Sequence, residues 1–183
     1  MCEYCGCQAL ATIDELTMEH ERVVTLISHA RDAHRDGRTT RMAELAREIS
    51  AVLGPHTKVE EQGLFPALAA EFPEKIAALE DEHRRVEAVL AEADGPFLAD
   101  PTWPDRLIET LTLLREHILK EQDGVFPAAL ANLSIEEWEA VEAVRVGVSP
   151  PSRPAEKPVA PLAGPRVRQR EKVMPTPKGA GAP

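Results

Sequence analysis

Apolar residues along most of the chain recur at alternating spacings of three and four positions, the period of an α-helix with one buried face. The first run contains Ile13, Leu16, Val23 and Ile27, with His20 on the same stripe. Three further runs continue the pattern. The predicted helices extend from about Cys7 to near Gly37, from Met42 to Gly63, from Ile76 to Asp94 and from Pro104 to Gly124. We therefore expect an all-α fold, an antiparallel up-down-up-down four-helix bundle.

Proline and glycine positions refine the predicted helices. Pro55 lies inside the second run and lacks a backbone N–H, so we expect a kink there. The sequence Gly-x-Phe-Pro follows both the second and the fourth run, and we expect it to stop both helices. A short fifth helix is predicted to open after Ser134, because Ser134 and Glu137 have the spacing of a capping box.

Two pairs of segments resemble each other. "HTKVEEQGLFPAL" begins at His56, and "HILKEQDGVFPAAL" begins 61 positions later at His117. "EHERVVTLI", which begins at Glu19, resembles "EHRRVEAVL", which begins at Glu82. The first two helices therefore look like the last two, and we expect approximate twofold symmetry, although shared packing demands could account for part of the similarity.

Charge is distributed unevenly along the chain. The 183 residues are 43% hydrophobic and carry a formal charge of −10. Residues 149–183 contain seven Lys or Arg and two Glu, a balance of +5, so residues 1–148 carry −15. This acidity argues against nucleic acid as the main partner of the folded part. We expect a cysteine-containing segment at 1–8, the bundle at 9–148, and a disordered, Pro-rich basic tail at 149–183.

Two roles stay open for residues 149–183: a solubilising tail, or a docking segment for an acidic protein partner. No apolar run reaches the roughly 18 residues of a membrane span. The first ten residues lack the basic start and apolar stretch of a signal peptide. We therefore expect no membrane partner and a cytoplasmic location.

Histidines replace apolar residues on the predicted stripes, one in each long helix. They are His20, His56, His83 and His117. A single such residue has an ordinary explanation, a buried imidazole with hydrogen-bond partners. Four of the six histidines are harder to explain in that way, because burying imidazole costs free energy unless its nitrogens are paired. His29 and His34 lie off the stripe or near a helix end, where a solvated histidine is ordinary.

Carboxylates accompany three of these histidines. Glu60, Glu121 and Glu87 each follow a histidine by four positions, so each should share its helix face and point towards the bundle axis. Val24 is the counterpart of Glu87 in the repeat, which makes the predicted site asymmetric. Imidazole and carboxylate ligands in a bundle core suit iron or manganese, and two ions that share bridging carboxylates. Glu61 is either an outer partner of this site or a surface residue.

The same ligand-type residues, in the same order along the helices, occur in a known family. The chain resembles the hemerythrin-like family, also called the HHE cation-binding domain, over about residues 9–130 through His20, His56-x3-Glu60, His83 and His117-x3-Glu121. The resemblance implies a bundle that holds two non-haem irons with an oxo or hydroxo bridge; manganese is less expected. It implies that the two glutamates bridge the irons. The first two histidines would bind one iron and the last two the other, with Glu87 as a further ligand.

Two positions differ from the oxygen-carrying hemerythrins. The carriers have histidine where this chain has Glu87, and their last motif uses aspartate one position later than Glu121. An anionic ligand in place of imidazole favours Fe(III), whereas reversible O₂ binding needs a stable diferrous state. We therefore expect redox chemistry on peroxide or O₂, of catalase, peroxidase or ferroxidase type. The alternative is a module that binds or senses O₂, NO or iron without turnover and signals through its tail.

Three cysteines stand near the start of the chain, at Cys2, Cys5 and Cys7. They could bind a soft metal, form a reversible disulfide or pass electrons to the iron site. The other interpretation is a frayed terminus with reduced thiols. Three thiols are one short of a usual structural zinc site, although a fourth ligand could come from another chain.

Overall fold

The structure is a computed structural model that describes residues 7–95 and 100–148, with side chains described from residue 11 onwards. Its helices are α1 (Cys7–Arg35), α2 (Thr39–Val59), α3 (Phe65–Leu68), α4 (Pro73–Ala91), α5 (Trp103–Lys120), α6 (Phe126–Asn132) and α7 (Ile135–Val148). Two π-helical turns, Glu60–Leu64 and Glu121–Val125, join α2 to α3 and α5 to α6. No strand occurs among the described residues, so the predicted all-α fold is confirmed.

Four long helices, α1, α2, α4 and α5, form the predicted bundle, in which each helix contacts the next and α5 returns to α1. The buried apolar residues form two clusters, one containing Ile49 and Leu111 and the other containing Leu16 and Phe65. On the stripe of α1, Leu16 belongs to one cluster and Val23 to the other. His20 lies between them, so a polar layer separates the two apolar clusters.

A glycine ends α1, and a proline lies inside α2. Gly37 has a positive φ of 68°. Its N–H donates to His34 O at 2.9 Å, and the N–H of Arg38 donates to Ala33 O at 2.8 Å. This pair of bonds is a Schellman motif, whose left-handed residue glycine adopts without strain, and α1 ends there as predicted. Pro55 lies inside α2, which continues past it; the kink stays a prediction.

The predicted helix stops at the two Gly-x-Phe-Pro sequences are wrong, because the chain stays helical through both. Pro66 lacks the N–H that an α-helix would bond to the carbonyl four residues earlier. Just before Pro66, the backbone hydrogen bond spans five residues instead of the four of an α-helix, and Phe65 N–H donates to Glu60 O. The second turn repeats this arrangement, with Phe126 N–H donating to Glu121 O. Each π turn therefore begins at a buried glutamate, a placement often found at functional sites.

The short fifth helix that the sequence predicts is α7, and it packs on the outside of the bundle. Ser134 N–H donates to Glu137 Oε2 at 2.7 Å, and Glu137 N–H donates to Ser134 Oγ at 3.3 Å, which is the predicted capping box. The buried face of α7 consists of Trp138, Val141 and Arg145. Because α7 contacts α1, α2 and the first π turn, it covers one side of the bundle beside the polar layer.

Several expectations concern residues outside the described part of the chain. Cys2 and Cys5 lie there, as does the tail at 149–183, and Cys7 begins α1 without a described side chain. The predicted limits at 1–8, 9–148 and 149–183 stay predictions. By its contacts the chain divides into units 1–150 and 151–183, and every described residue lies in the first. In that described part, no helix is both long and apolar enough to cross a membrane.

Candidate metal centre

Six ligand-type side chains form the polar layer between the two apolar clusters. The long helices contribute one histidine each, and the first residue of each π turn contributes a glutamate. They are His20, His56, His83, His117, Glu60 and Glu121. None is more than 6% exposed, and both glutamates are completely buried. All six thus lie together inside the bundle, at the positions where the helical period and the i, i+4 spacing predicted inward-facing side chains.

The histidines form two pairs. The rings of His20 and His56 have centroids 4.6 Å apart. The rings of His83 and His117 have centroids 4.5 Å apart, and their Nε2 atoms are 2.8 Å from each other. In each pair the two imidazoles come from different helices and approach each other closely enough to bind one ion.

Each glutamate reaches from one histidine pair to the other. Glu60 Oε1 lies 3.3 Å from His56 Nε2, and its Oε2 lies 3.5 Å from His83 Nε2. Glu121 Oε2 lies 3.1 Å from His20 Nε2, and its Oε1 lies 2.8 Å from His117 Nε2. Potential ligand atoms within 4.8 Å of one another form two groups. One is His20, His56, Glu60 and Glu121, and the other is His83, His117 and Glu121.

Both carboxylates lack adequate hydrogen-bond partners. All four oxygens of Glu60 and Glu121 are buried, and none accepts a hydrogen bond of acceptable geometry from the described residues, despite the short distances to imidazole nitrogens. Burial without partners is costly for carboxylates, which are normally paired with a cation or a metal ion in protein interiors. The residues therefore fit a metal centre.

A second set of carboxylates holds the far side of three imidazoles. Glu19 Oε2 lies 2.8 Å from His56 Nδ1, and Glu82 Oε2 lies 2.9 Å from His117 Nδ1. Glu61 Oε1 lies 2.9 Å from His83 Nδ1. An acceptor at Nδ1 fixes the proton there and leaves Nε2 free to bind a metal. Glu61 thus contacts an imidazole of the polar layer, and its role as an outer partner of a metal site stays a prediction.

The roles of Glu19 and Glu82 are absent from the sequence predictions. Each glutamate precedes a histidine of the layer, but it contacts the histidine of a neighbouring helix. The retention of Glu at both places in the repeat was the available signal. Cations balance both carboxylates: Arg145 Nη1 donates to Glu19 Oε1 at 2.8 Å, and Lys120 contacts Glu82. Burial raises the pKa of Glu19, but His56 and Arg145 outweigh that effect and lower it overall.

The fourth imidazole has no such partner. Neither nitrogen of His20 forms a hydrogen bond with another described residue. In the repeat, Gln122 takes the position of Glu61, 61 residues later. Replacing a carboxylate by an amide at this position leaves the two halves of the layer with different outer partners, an asymmetry that does not depend on Glu87.

Protons occupy the layer when no metal does. Burial lowers the pKa of His56, but the carboxylates of Glu60 and Glu19 outweigh it and raise this pKa to about 10. Burial likewise lowers the pKa of His83, and Glu121 and Glu60 raise it to about 9. Burial raises the pKa of Glu121, but the facing imidazoles hold it well below its usual range. At neutral pH the metal-free layer therefore contains protonated imidazoles against an ionised carboxylate.

Glu87 is placed differently from the six buried residues. It is exposed and lies outside both groups of ligand atoms, although it lines a small cavity beside the layer together with His83 and His117. Its role as a ligand stays a prediction. His29 is exposed, and His34 Nε2 lies 2.8 Å from Asp105 Oδ1, so both keep the surface positions expected of them.

Comparison with known proteins agrees with the resemblance seen in the motifs. The sequence model of the hemerythrin HHE cation binding domain matches residues 11–129. The chain is 24% identical over 127 residues to a DNA nickase of Nostoc sp. (strain PCC 7120 / SAG 25.82 / UTEX 2576). That alignment covers 69% of the chain but only 35% of the nickase, so the chain spans about a third of its relative. No solved structure matches the chain.

Proposed function

Because the chain belongs to the hemerythrin HHE cation-binding domain family, we propose that its polar layer holds two iron ions and performs redox chemistry on peroxide or O₂. The reaction would be of catalase, peroxidase or ferroxidase type. The observation that carries the proposal is the pair of buried glutamates. Each glutamate faces one histidine of the first pair and one of the second, and its oxygens form no hydrogen bonds with described residues.

The chain's own residues divide between the two ions. His20 and His56 would bind one iron, His83 and His117 the other, and the two glutamates would bind both. Bound iron supplies one-electron chemistry towards oxygen species, and an anionic ligand set favours Fe(III) over Fe(II). Manganese suits the same donor atoms and is the less expected metal. In this proposal Glu87 turns inwards to bind the iron of His83 and His117.

The surroundings of the layer suit a small reactant. The cavity beside it, lined by all four histidines and Glu121, has a volume of about 10 Å³, room for about one water molecule. Apolar clusters on both sides limit the access of water. O₂, peroxide or NO fits this space, whereas a larger organic substrate would require the helices to separate.

The outer carboxylates position the imidazoles. Glu19, Glu61 and Glu82 accept hydrogen bonds from the Nδ1–H groups of three histidines, so they hold each ring with Nε2 towards the centre. They also increase the basicity of the imidazoles. Because His20 lacks such a partner, it should be the weakest imidazole ligand, and its half of the layer is where we expect the open coordination position.

A sensing module without turnover is the second candidate, and α7 favours it. Arg145 of α7 contacts Glu19, which in turn contacts His56, so a change at the layer has a direct route to the helix that precedes residue 149. In such a module, binding of O₂, NO or iron would be reported through the tail to a protein partner. A multi-turnover assay with peroxide or Fe(II) separates the two candidates, because only an enzyme consumes many equivalents per chain.

Cleavage of DNA is not part of this proposal. The name DNA nickase belongs to a relative of which most lies outside the alignment. Residues 1–148 carry a charge of −15, which opposes binding to the phosphate backbone.

Metal analysis of the purified protein, with its ultraviolet–visible spectrum, tests the proposal. Protein produced with ample iron should contain two irons per chain and show ligand-to-iron charge-transfer absorption. One zinc per chain without such absorption would contradict it. A peroxide or Fe(II) assay on the same sample then decides between the enzyme and the sensing module.

A further inference from the structure

α7 fills a recess on one half of the bundle, between the start of α1 and the first π turn. Its buried side chains Trp138 and Val141 belong to the same apolar cluster as Ile13 and Leu16. The approach is close at Gly63, where a Cβ atom would lie 3.3 Å from Val141 Cα. Even a methyl group at this position would require α7 to move by a few tenths of an ångström, so the glycine favours the close docking of α7.

The other half of the bundle has the corresponding recess, and no described helix fills it. A groove of about 530 Å³ runs between the start of α4 and the second π turn, lined by Phe72, Ile76, Leu79, Gly124, Val125 and Ala128. Its residues are the repeat counterparts of those beneath α7: Ile76 and Leu79 lie 63 positions after Ile13 and Leu16. Gly124 lies 61 positions after Gly63.

Gly124 differs from Gly63 in what surrounds it. A Cβ atom at Gly124 would have no other described residue within 4 Å, apart from its own helix and chain neighbours. The groove is mostly apolar, and a recess of this size and character is typical of binding sites on protein surfaces. Within the described residues, the second half of the bundle therefore presents the surface that receives α7 on the first half, but without a helix on it.

The charges along the groove indicate which kind of helix it would receive. Beneath α7, Thr12 Oγ1 donates to Glu142 Oε2 of that helix at 3.0 Å. The counterpart of Thr12 in the groove is Lys75, 63 positions later, which would bind a carboxylate more strongly than a hydroxyl does. Lys75 is exposed and lies over the ring of Phe72 at the edge of the groove. A carboxylate on the incoming helix would thus face an ammonium group.

The groove has lost the features that bind the arginine of α7. Arg145 lies between Glu19 and Glu15, with its Nε 3.4 Å from Glu15 Oε2. The counterpart of Glu15 is Ala78, 63 positions later. The counterpart of Glu19 is Glu82, which Lys120 of the bundle already neutralises. The groove is therefore suited to a helix that lacks this arginine. Asp123 also lines the groove, so the carboxylates of the incoming helix would face Lys75 and lie away from Asp123.

We propose that this groove binds an acidic amphipathic helix of a partner protein. The helix places an aliphatic or aromatic side chain over Gly124, as Val141 lies over Gly63, and a carboxylate against Lys75. Binding of an amphipathic helix in an apolar groove is a common mode of recognition. The occupant would also lie next to the polar layer, because Glu82 lines the groove and contacts His117 Nδ1 at 2.9 Å. This inference does not depend on the proposed redox function.

The probe is a fluorescent peptide with the sequence of residues 134–148 carrying Arg145→Ala, which retains the apolar face and the carboxylates of α7. Its binding to the full chain is measured by anisotropy. Gly124→Leu fills the groove, and Lys75→Glu reverses the charge at its edge. We expect each to weaken binding about tenfold or more. Lys58→Glu, the same charge change at an exposed site outside the groove, should leave binding unchanged.

The folding of each variant is checked by helix content and melting temperature. Gly124→Leu should melt like the parent, since its side chain meets no described residue outside its own helix and its chain neighbours. Binding that is absent from the parent, or equal for the parent and Gly124→Leu, would overturn the proposal. The peptide could also bind in the recess of α7 by displacing α7. Gly124→Leu would not weaken binding there, so weaker binding by this variant shows that the peptide occupies the groove.

Two other occupants would be recognised by the same experiment. A dimer of the parent that Gly124→Leu converts to a monomer would identify a second copy of this chain as the occupant. Peptide binding that appears only in a chain ending at Val148 would assign the groove to residues 149–183. Either result would overturn the assignment to a partner protein.

Discussion

Glu60 is completely buried, and its oxygens accept no hydrogen bond of good geometry from the described residues, so replacing it is the most direct test at the scale of single residues. Glu60→Ala removes the carboxylate that faces His56 and His83. The variant should lose most of its iron on dialysis against a chelator, as measured by metal analysis. His29→Ala, a change at an exposed histidine, should retain the parent's iron content. Equal retention by both variants would remove Glu60 from the metal site.

The protonation of the layer predicts how stability varies with pH. The folded-state pKa values of His56, about 10, and His83, about 9, lie above the ordinary value of 6.5. Groups with raised pKa stabilise the folded protein fully below the unfolded value, and the contribution is lost as pH rises through the folded value. The metal-free protein should therefore melt at progressively lower temperature between about pH 6.5 and pH 10.

The melting temperature of the iron-loaded protein should depend less on pH than that of the metal-free protein, over the same pH range. Bound iron would replace the protons at Nε2, so these imidazoles would no longer titrate, and loading should release protons into a weakly buffered solution. Melting curves of both forms at each pH provide the comparison. Identical slopes for the two forms would show that iron does not bind at these histidines.

Glu87 is the residue whose role the structure leaves for experiment. If it binds the iron of His83 and His117, then Glu87→His exchanges an anion for a neutral imidazole and should raise the reduction potential, because the ferric state loses its negative ligand. Glu87→Gln should weaken iron binding with little change in helix content. If Glu87 instead stays exposed, both variants will match the parent in potential and spectrum.

At the scale of helices, α7 packs closely against the bundle at Gly63. Gly63→Leu places a side chain against the backbone of Val141. Overpacking of this kind costs about 1–3 kcal/mol, and we expect that loss in the free energy of unfolding measured with urea. Gly124→Leu is the matched control, because the same change in the repeat counterpart meets open space among the described residues. Similar losses in both variants would contradict the difference between the two halves.

The docking of α7 should also affect the polar layer, because Arg145 holds Glu19 against His56. An outward shift of α7 in Gly63→Leu should free Glu19 and weaken the orientation of this imidazole. The two π turns also position residues of the polar layer, and they do so directly. By starting at Glu60 and Glu121, they place both glutamates in the layer and still allow the helices to continue into α3 and α6.

For the whole molecule, the metal should be part of the folded structure. Without a metal ion, buried carboxylates and imidazoles would face one another, whereas a ligand that binds only the folded state stabilises it by mass action. The iron-loaded protein should melt at a higher temperature than the metal-free protein in calorimetry. Iron added to the Glu60→Ala variant should raise its melting temperature only slightly. A melting temperature of the parent that does not change with iron would argue against an internal metal site.

Local patterns in the sequence were enough to predict most of the fold. The alternation of three and four positions predicted the long helices, Gly37 predicted the end of α1, and the spacing of Ser134 and Glu137 predicted the start of α7. These features depend on bonds between residues close in the chain. The i, i+4 spacing likewise predicted that Glu60 and Glu121 would share a face with their histidines, since both lie on a single helix.

Contacts between different helices could not be predicted in this way. Glu19 precedes His20 in the chain but binds His56, and Arg145 reaches the layer from a helix outside the bundle. The helical period also predicted an inward direction for Glu87, which the packing of α4 leaves exposed. The repeat predicted two similar halves, yet α7 covers only one of them. Hydrogen bonds within a helix depend on local order in the sequence, whereas these arrangements depend on how helices from distant parts of the chain pack against one another.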